Sequence, residues 1–125
     1  MPDPDTLLAL AARAEAGGDA TLSDDVWRAL GWQNRHGYGW RLPPSFAEKR
    51  SLPDLTRSID AQAELPGRIL RVVLDQFTGA PYFVVRAEIP FEGMSYRSGE
   101  GKAYTEILAR LAARLRAIAS SVEER

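Results

Sequence analysis

The sequence predicts an α+β domain, and three observations carry that prediction. Residues Arg68–Asp75 and Tyr82–Ile89 form two runs in which apolar side chains alternate with others across a short Gly/Pro turn, the pattern of an antiparallel hairpin. A long stripe of Tyr104, Leu108, Leu111, Leu115, Ile118 and Val122 recurs at helical spacing near the C-terminus. Short stretches with capping residues and glycine stops open the chain. Together they predict a small antiparallel sheet packed by a long C-terminal helix, with shorter N-terminal helices on its other face or an edge, an α/β/α-like sandwich.

The first helix is signalled by Asp3 as cap, Pro4 at the first helical position and Asp5 near the positive end of the dipole. Leu7, Leu8, Leu10, Ala11 and Ala14 then recur at helical spacing until Gly17-Gly18. A second, short helix is expected from Ser23 to Gly31, with Val26, Trp27 and Leu30 on one side. From Trp32 to Leu42 the even positions hold Trp32, Asn34, His36, Tyr38, Trp40 and Leu42, a period of two that suggests an extended segment or a glycine-tipped hairpin with an aromatic face. Pro43-Pro44 ends it, and a polar loop with Phe46, Glu48, Lys49 and Arg50 is expected as far as Pro53. A third helix, capped by Thr56 or Ser58, would turn Ile59, Ala63 and Leu65 inward before Pro66-Gly67. In the hairpin, Leu70, Val72 and Leu74 alternate on one run, and Phe83, Val85, Ala87 and Ile89 on the other, with Pro90 ending the second strand. Phe91 to Tyr96 reads as a short return segment, and 97–102 as a loop feeding the last helix. The stripe of that helix is expected on the sheet, with alanines 109, 112, 113, 117 and 119 allowing close approach.

A chain of 125 residues is one domain in size, residues 1–125. There is no cysteine, hence no disulfide, thiol nucleophile or thiolate metal site, and the single histidine cannot supply a histidine cluster. No acidic run resembles a calcium loop. Sixteen cations against seventeen acids argue against a general binder of long nucleic acid. No apolar run approaches the ~20 residues that span a bilayer, and the acidic N-terminus does not resemble a secretory signal, so a cytoplasmic location is expected by elimination. The charge is uneven: one cation against six acids before Arg28, then six cations against two acids from Arg28 to Arg57. That asymmetry permits head-to-tail self-association.

Two regions are candidates for binding. The stretch Arg97-Ser98-Gly99-Glu100-Gly101-Lys102, followed by Thr105, offers glycine-exposed backbone N–H groups, two cations and a hydroxyl at a helix start, which suits an anion. It lacks P-loop spacing, and the plainer reading is a solvent-exposed turn. The set Trp32, His36, Tyr38 and Trp40, flanked by Arg35 and Arg41, could stack a base; the plainer reading is rings filling a core edge. Asp24 and Asp25 read as helix N-terminal acids, Glu88 with Arg71 or Arg86 as a surface pair, and Arg110 and Arg114 as a solvated face able to grip an acidic partner. No nucleophile, paired carboxylate or metal motif marks an enzyme, so neither catalysis nor a cofactor is expected.

The order of elements resembles the phage ABA-sandwich domain family. The likeness covers roughly residues 23–119. It rests on Leu30-Gly31-Trp32, the segment Trp40, Pro43, Pro44, the helix Ser58-Ile59-Asp60-Ala61-Gln62-Ala63-Glu64-Leu65, two strands, and a closing helix entered through Gly101-Lys102-Ala103-Tyr104-Thr105. Thr105-Glu106 stands where relatives have Thr-Pro. The family carries no established activity, so the resemblance implies a phage origin, a host bacterial cytoplasm and a fold, and transfers no functional residue. The expected function is a non-catalytic accessory protein that binds a small anionic ligand, plausibly a nucleotide sequestered in counter-defence. Arg97, Ser98, Gly99, Gly101, Lys102 and Thr105 would hold the anion, and Trp40, Tyr38 or His36 would stack. The alternative is a module that binds or inhibits a host or phage protein, and a homo-oligomer fits either reading.

Overall fold

The computed structural model describes residues 2–35, 38–45, 47–76 and 81–123. The chain is α+β, with four helices and two three-stranded antiparallel sheets among the described residues. Helix α1 (Pro4–Glu15) is capped by the Asp3 side chain, which accepts from the Thr6 N–H, and stops at Gly17 and Gly18, both at positive φ. Helix α2 (Leu22–Ala29) follows. A small sheet then forms from β1 (Gln33–Asn34), β2 (Trp40–Leu42) and β3 (Ala47–Lys49). The expected hairpin is therefore present as β1 and β2, but part of the expected polar loop is a third strand. Phe46 lies outside the described residues.

Helix α3 (Ile59–Gln62) is capped by Ser58, not Thr56. Being a single turn, it buries Ala61, Gln62 and then Leu65, whereas Ile59 and Ala63 face solvent. The main sheet has the order β4-β5-β6, from β4 (Arg68–Asp75), β5 (Tyr82–Phe91) and β6 (Ser95–Ala103). Three corrections to the sequence reading lie here. The β4 alternation is broken by a bulge between Ile69 and Arg71, so Ile69 and Val72 pack inward while Leu70 is exposed. Pro90 lies inside β5. It sits past the β4 ladder, which begins at Arg68↔Glu88, where β5 has one neighbour and tolerates a missing N–H. Residues 97–102 are strand rather than loop: they pair with β5 from Ile89↔Arg97 to Val84↔Lys102.

Helix α4 (Glu106–Glu123) is the centre of the molecule and is buried from two sides. Ala109, Ala113 and Ala117, at i, i+4 and i+8, lie on the sheet against Val85, Ala87 and Ala103. Leu111, Leu115 and Ile118 lie on the opposite side, against Leu7, Leu10, Ala14, Leu22 and Val26 of α1 and α2. The large stripe therefore faces the helices, with Ala112 and Ala119 beside it, while Ala109, Ala113 and Ala117 face the sheet, the reverse of the sequence expectation for the stripe. Gly99 and Gly101 are the cause. A Cβ on Gly101 would stand 2.2 Å from the Ala109 carbonyl oxygen, and one on Gly99 would stand 2.4 Å from the Ala117 nitrogen. Helix and strand approach backbone to backbone, and only small residues fit between them. The layers run sheet, α4, then α1–α3, so the N-terminal helices cover α4 and leave the outer face of the main sheet open.

Candidate interaction surface

The two expected binding regions do not meet. Trp40 belongs to the core beside α2, on the far side of α4 from the sheet that contains Lys102. Trp40 is 8% exposed, with the Arg28 guanidinium 5.4 Å from its ring centre, and Tyr38 is 90% exposed at the hairpin tip. His36 lies outside the described residues. Trp32 stacks edge-on against Trp27, at 6.4 Å. Its surroundings form two clefts. One, of about 620 Å³, is lined by Trp27, Leu30, Trp32, Leu42 and Ile118 with the Lys49–Glu64 pair; the other, of about 440 Å³, is lined by Arg28, Trp32, Gln33 and Asn34.

The residues of the expected anion loop are divided by the pleat of β6. Arg97, Gly99 and Gly101 turn toward α4, with the Arg97 guanidinium 4.0 Å from the Phe91 ring centre. Ser98, Glu100 and Lys102 turn outward. Ser98 accepts weakly from Arg86 at 3.5 Å, and the Lys102 ammonium lies 3.8 Å from Glu100. The Thr105 hydroxyl is occupied as a cap, accepting from the Leu108 N–H at 3.3 Å. The Lys102 N–H donates to Glu15 at 2.7 Å. Strand pairing, the cap and Glu15 thus engage the Gly99 and Gly101 backbone, the Thr105 hydroxyl and the Lys102 N–H that the loop reading had assigned to a ligand.

Glu15 is part of a device that sequence reasoning missed. Arg116 on α4 donates to both Glu15 carboxylate oxygens, at 2.5 and 2.6 Å, and to the Glu100 carbonyl at 2.8 Å. Glu100 and Lys102 are two apart, so their backbones point the same way, off the outer edge of β6. One acceptor and one donor on that edge are met by one cation and one anion: the ion pair stands in for a neighbouring strand. Burial alone would raise the Glu15 pKa. The Arg116 and Lys102 hydrogen bonds and charges outweigh it and hold the carboxyl below its ordinary 4.5. Arg116 is raised in turn, first by its bond to Glu15. The signal was in the sequence: a glutamate in the last turn of a helix opposes the dipole unless a cation lies elsewhere to hold it.

The other arginines are also engaged internally. Buried Arg114, expected on a solvated face, donates to the carbonyls of Leu65, Pro66 and Gly67 at 3.3, 3.3 and 2.7 Å and pins the α3–β4 corner. Arg110 pairs with Glu106 at 2.8 Å. Glu88 pairs with Arg68, at 2.7 Å, rather than with Arg71 or Arg86.

The opposite edge of the main sheet is different. Among the described residues no group outside the sheet bonds to the β4 backbone, and Leu70, Val73 and Leu74 are 45, 41 and 43% exposed along it. Arg71, directly across from Arg86 in register, has no hydrogen bond or ion pair among the described residues. Like charges in directly opposed cross-strand positions are unfavourable. The run Val72-Val73-Leu74 carries apolar groups to both faces, which a strand of an open sheet does not need. Among the described residues no three acids or histidines gather as a metal site, and no helix is long and apolar enough to cross a membrane. Comparison with family models, with curated proteins and with solved structures finds no match for this chain.

Proposed function

We propose that the chain is a non-catalytic interaction module that docks a protein partner along the free β4 side of its main sheet. The observation that supports this is the inequality of the two edges: β6 is covered at Glu100 and Lys102 by Arg116 and Glu15, while among the described residues no group outside the sheet bonds to the β4 backbone, and its edge is apolar. An unprotected apolar edge is a template for strand addition, and proteins that do not use such an edge blunt it. The absence of cysteine and of a second histidine fits a role without catalysis, and the resemblance to phage ABA-sandwich proteins fits a phage accessory protein. Val73→Lys tests the reading. Val73 is exposed, so the fold should tolerate the change within about 0.5 kcal/mol. In affinity capture from host lysate, a stoichiometric complex formed by the unaltered chain and lost with the lysine supports docking at β4. Equal capture by both chains, or the absence of any complex including one with itself, rejects it.

A second reading keeps the small anionic ligand, nucleotides included, and moves it to the clefts beside Trp32, where an indole edge lies near Arg28 and Lys49. Thermal-shift screening against mono-, di- and cyclic nucleotides tests it. A stabilisation lost in Trp32→Ala supports it, and no shift with any nucleotide discards it.

A further inference from the structure

We infer that the occupant of the β4 edge is a second copy of this chain, paired antiparallel through residues 71–75 about a two-fold axis at Val73; this rests on the docking reading above. The bulge between Ile69 and Arg71 bends the start of β4 and leaves 71–75 as its regular part. A two-fold perpendicular to the sheet requires opposed residues to share a face, so only registers that match the pleat are allowed. Arg71, Val73 and Asp75 point to the open face, and Val72 and Leu74 to the α4 face.

Five registers satisfy that condition, and charge decides among them. Pairing about residue 71 opposes two arginines, and pairing about residue 75 opposes two aspartates. Pairing about 72 or 74 sets Arg71 or Asp75 against Val73. Pairing about Val73 places each Arg71 opposite Asp75 of the second copy, twice over. It also sets Val73 against Val73 and each Leu74 against Val72 of the second copy, and it uses all five residues. Whichever alternating set of N–H and C=O groups points outward, its members face each other in this register: 71 with 75 and 73 with 73, or 72 with 74.

The electrostatics of one chain are completed by this arrangement. Arg71, which has no partner among the described residues and lies opposite Arg86, gains a carboxylate. Asp75 already accepts the Tyr82 hydroxyl at 2.9 Å and, as a carboxylate, retains acceptor capacity for a guanidinium. The exposed Leu74 and Val73 side chains are covered. The product is a continuous six-stranded sheet whose two outer edges are the two β6 strands, each covered at Glu100 and Lys102 by Arg116 and Glu15; the two-fold uses both β4 edges, so this pairing closes at two copies.

The test is the solution mass of the full chain by size exclusion with light scattering, over a wide range of concentration. The unaltered chain is expected at twice the 13.8 kDa of one copy. Arg71→Asp and Asp75→Arg should each weaken pairing by about ten-fold or more, since each opposes like charges twice, and the double variant should restore it. Val73→Lys, with the circular dichroism of a folded chain, should give a monomer that melts below the dimer. A chain that is monomeric throughout overturns self-pairing. If that monomer still captures a protein that Val73→Lys does not, the docking reading survives and the edge belongs to another chain. A dimer indifferent to all these changes overturns the assignment to β4 and the docking reading with it.

Discussion

The two edges of the main sheet face the same physical problem with opposite outcomes. On β6, a donor at Lys102 and an acceptor at Glu100 are met by Glu15 and Arg116, side chains from two different helices. On β4, eight residues run along the sheet with no such cover from the described residues, and Leu70, Val73 and Leu74 lie exposed along it. The difference follows from where α1 and α4 pass. Glycines 99 and 101 draw α4 tightly onto β6, which brings α1, packed on α4, within reach of that edge and leaves β4 outside the shelter of the helices. An edge is therefore sealed or available according to which strand the helices sit on, and sheet composition has little say.

The comparison breaks most completely at Gly101. In Gly101→Ala the new methyl would meet the backbone of Ala109 and Ala113 at 2.2 and 2.6 Å, atoms that cannot rotate aside. The helix must lift from β6, at an expected cost of about 3 kcal/mol or more. A lower urea midpoint would register it, whereas an unchanged midpoint would mean that helix and strand are less close than described. Glu15→Gln sharpens the comparison. It keeps the shape of the seal but strips Arg116 of its charge partner, for an expected loss of about 1–2 kcal/mol. The Lys102 amide should exchange faster, because a neutral carboxamide holds its N–H less tightly than a carboxylate does. An unaltered exchange rate at Lys102 would remove Glu15 from the seal.

The smallest effect is that of acid. The folded-state pKa of Glu15 is depressed, so its contribution is fully present above the ordinary value of 4.5 and is lost as pH falls through the lower folded value. Lys102 amide protection should be flat near neutral pH and decline only in acid, by less than Glu15→Gln produces. Loss of protection on raising the pH would contradict this sign.

How much was legible can be read from particular residues. Asp3, Ser58, Gly17 and Gly18 announced their helix ends because capping and positive φ are local properties. The alternation of Phe83, Val85, Ala87 and Ile89 announced β5 for the same reason. Residues 97–102 were misread because glycine, serine and charge look like a loop when considered alone. Their strand state comes from pairing with β5 and from the helix that lies on them, neither of which has a local signature. The helical stripe was legible from Leu108 to Val122, whereas Tyr104 precedes α4 and is 71% exposed; which layer the stripe would meet was not legible, since periodicity reports a face and never its neighbour. The expected joint site failed for the same reason: α4 stands between Trp40 and Lys102, and no spacing in sequence reveals an intervening layer.

The sequence by itself determined the helices, the β4–β5 hairpin and most helix ends, because these depend on backbone preferences and periodicity within a few residues. Only the tertiary structure decided that alanine and glycine form the helix–sheet seam, that Glu15 and Arg116 meet Lys102 and Glu100 on one edge, and that Arg71 lies opposite Arg86 beside the other. Those outcomes depend on atoms brought together from as far apart as Glu15 and Arg116, and distance in space is the one quantity that a linear pattern does not contain.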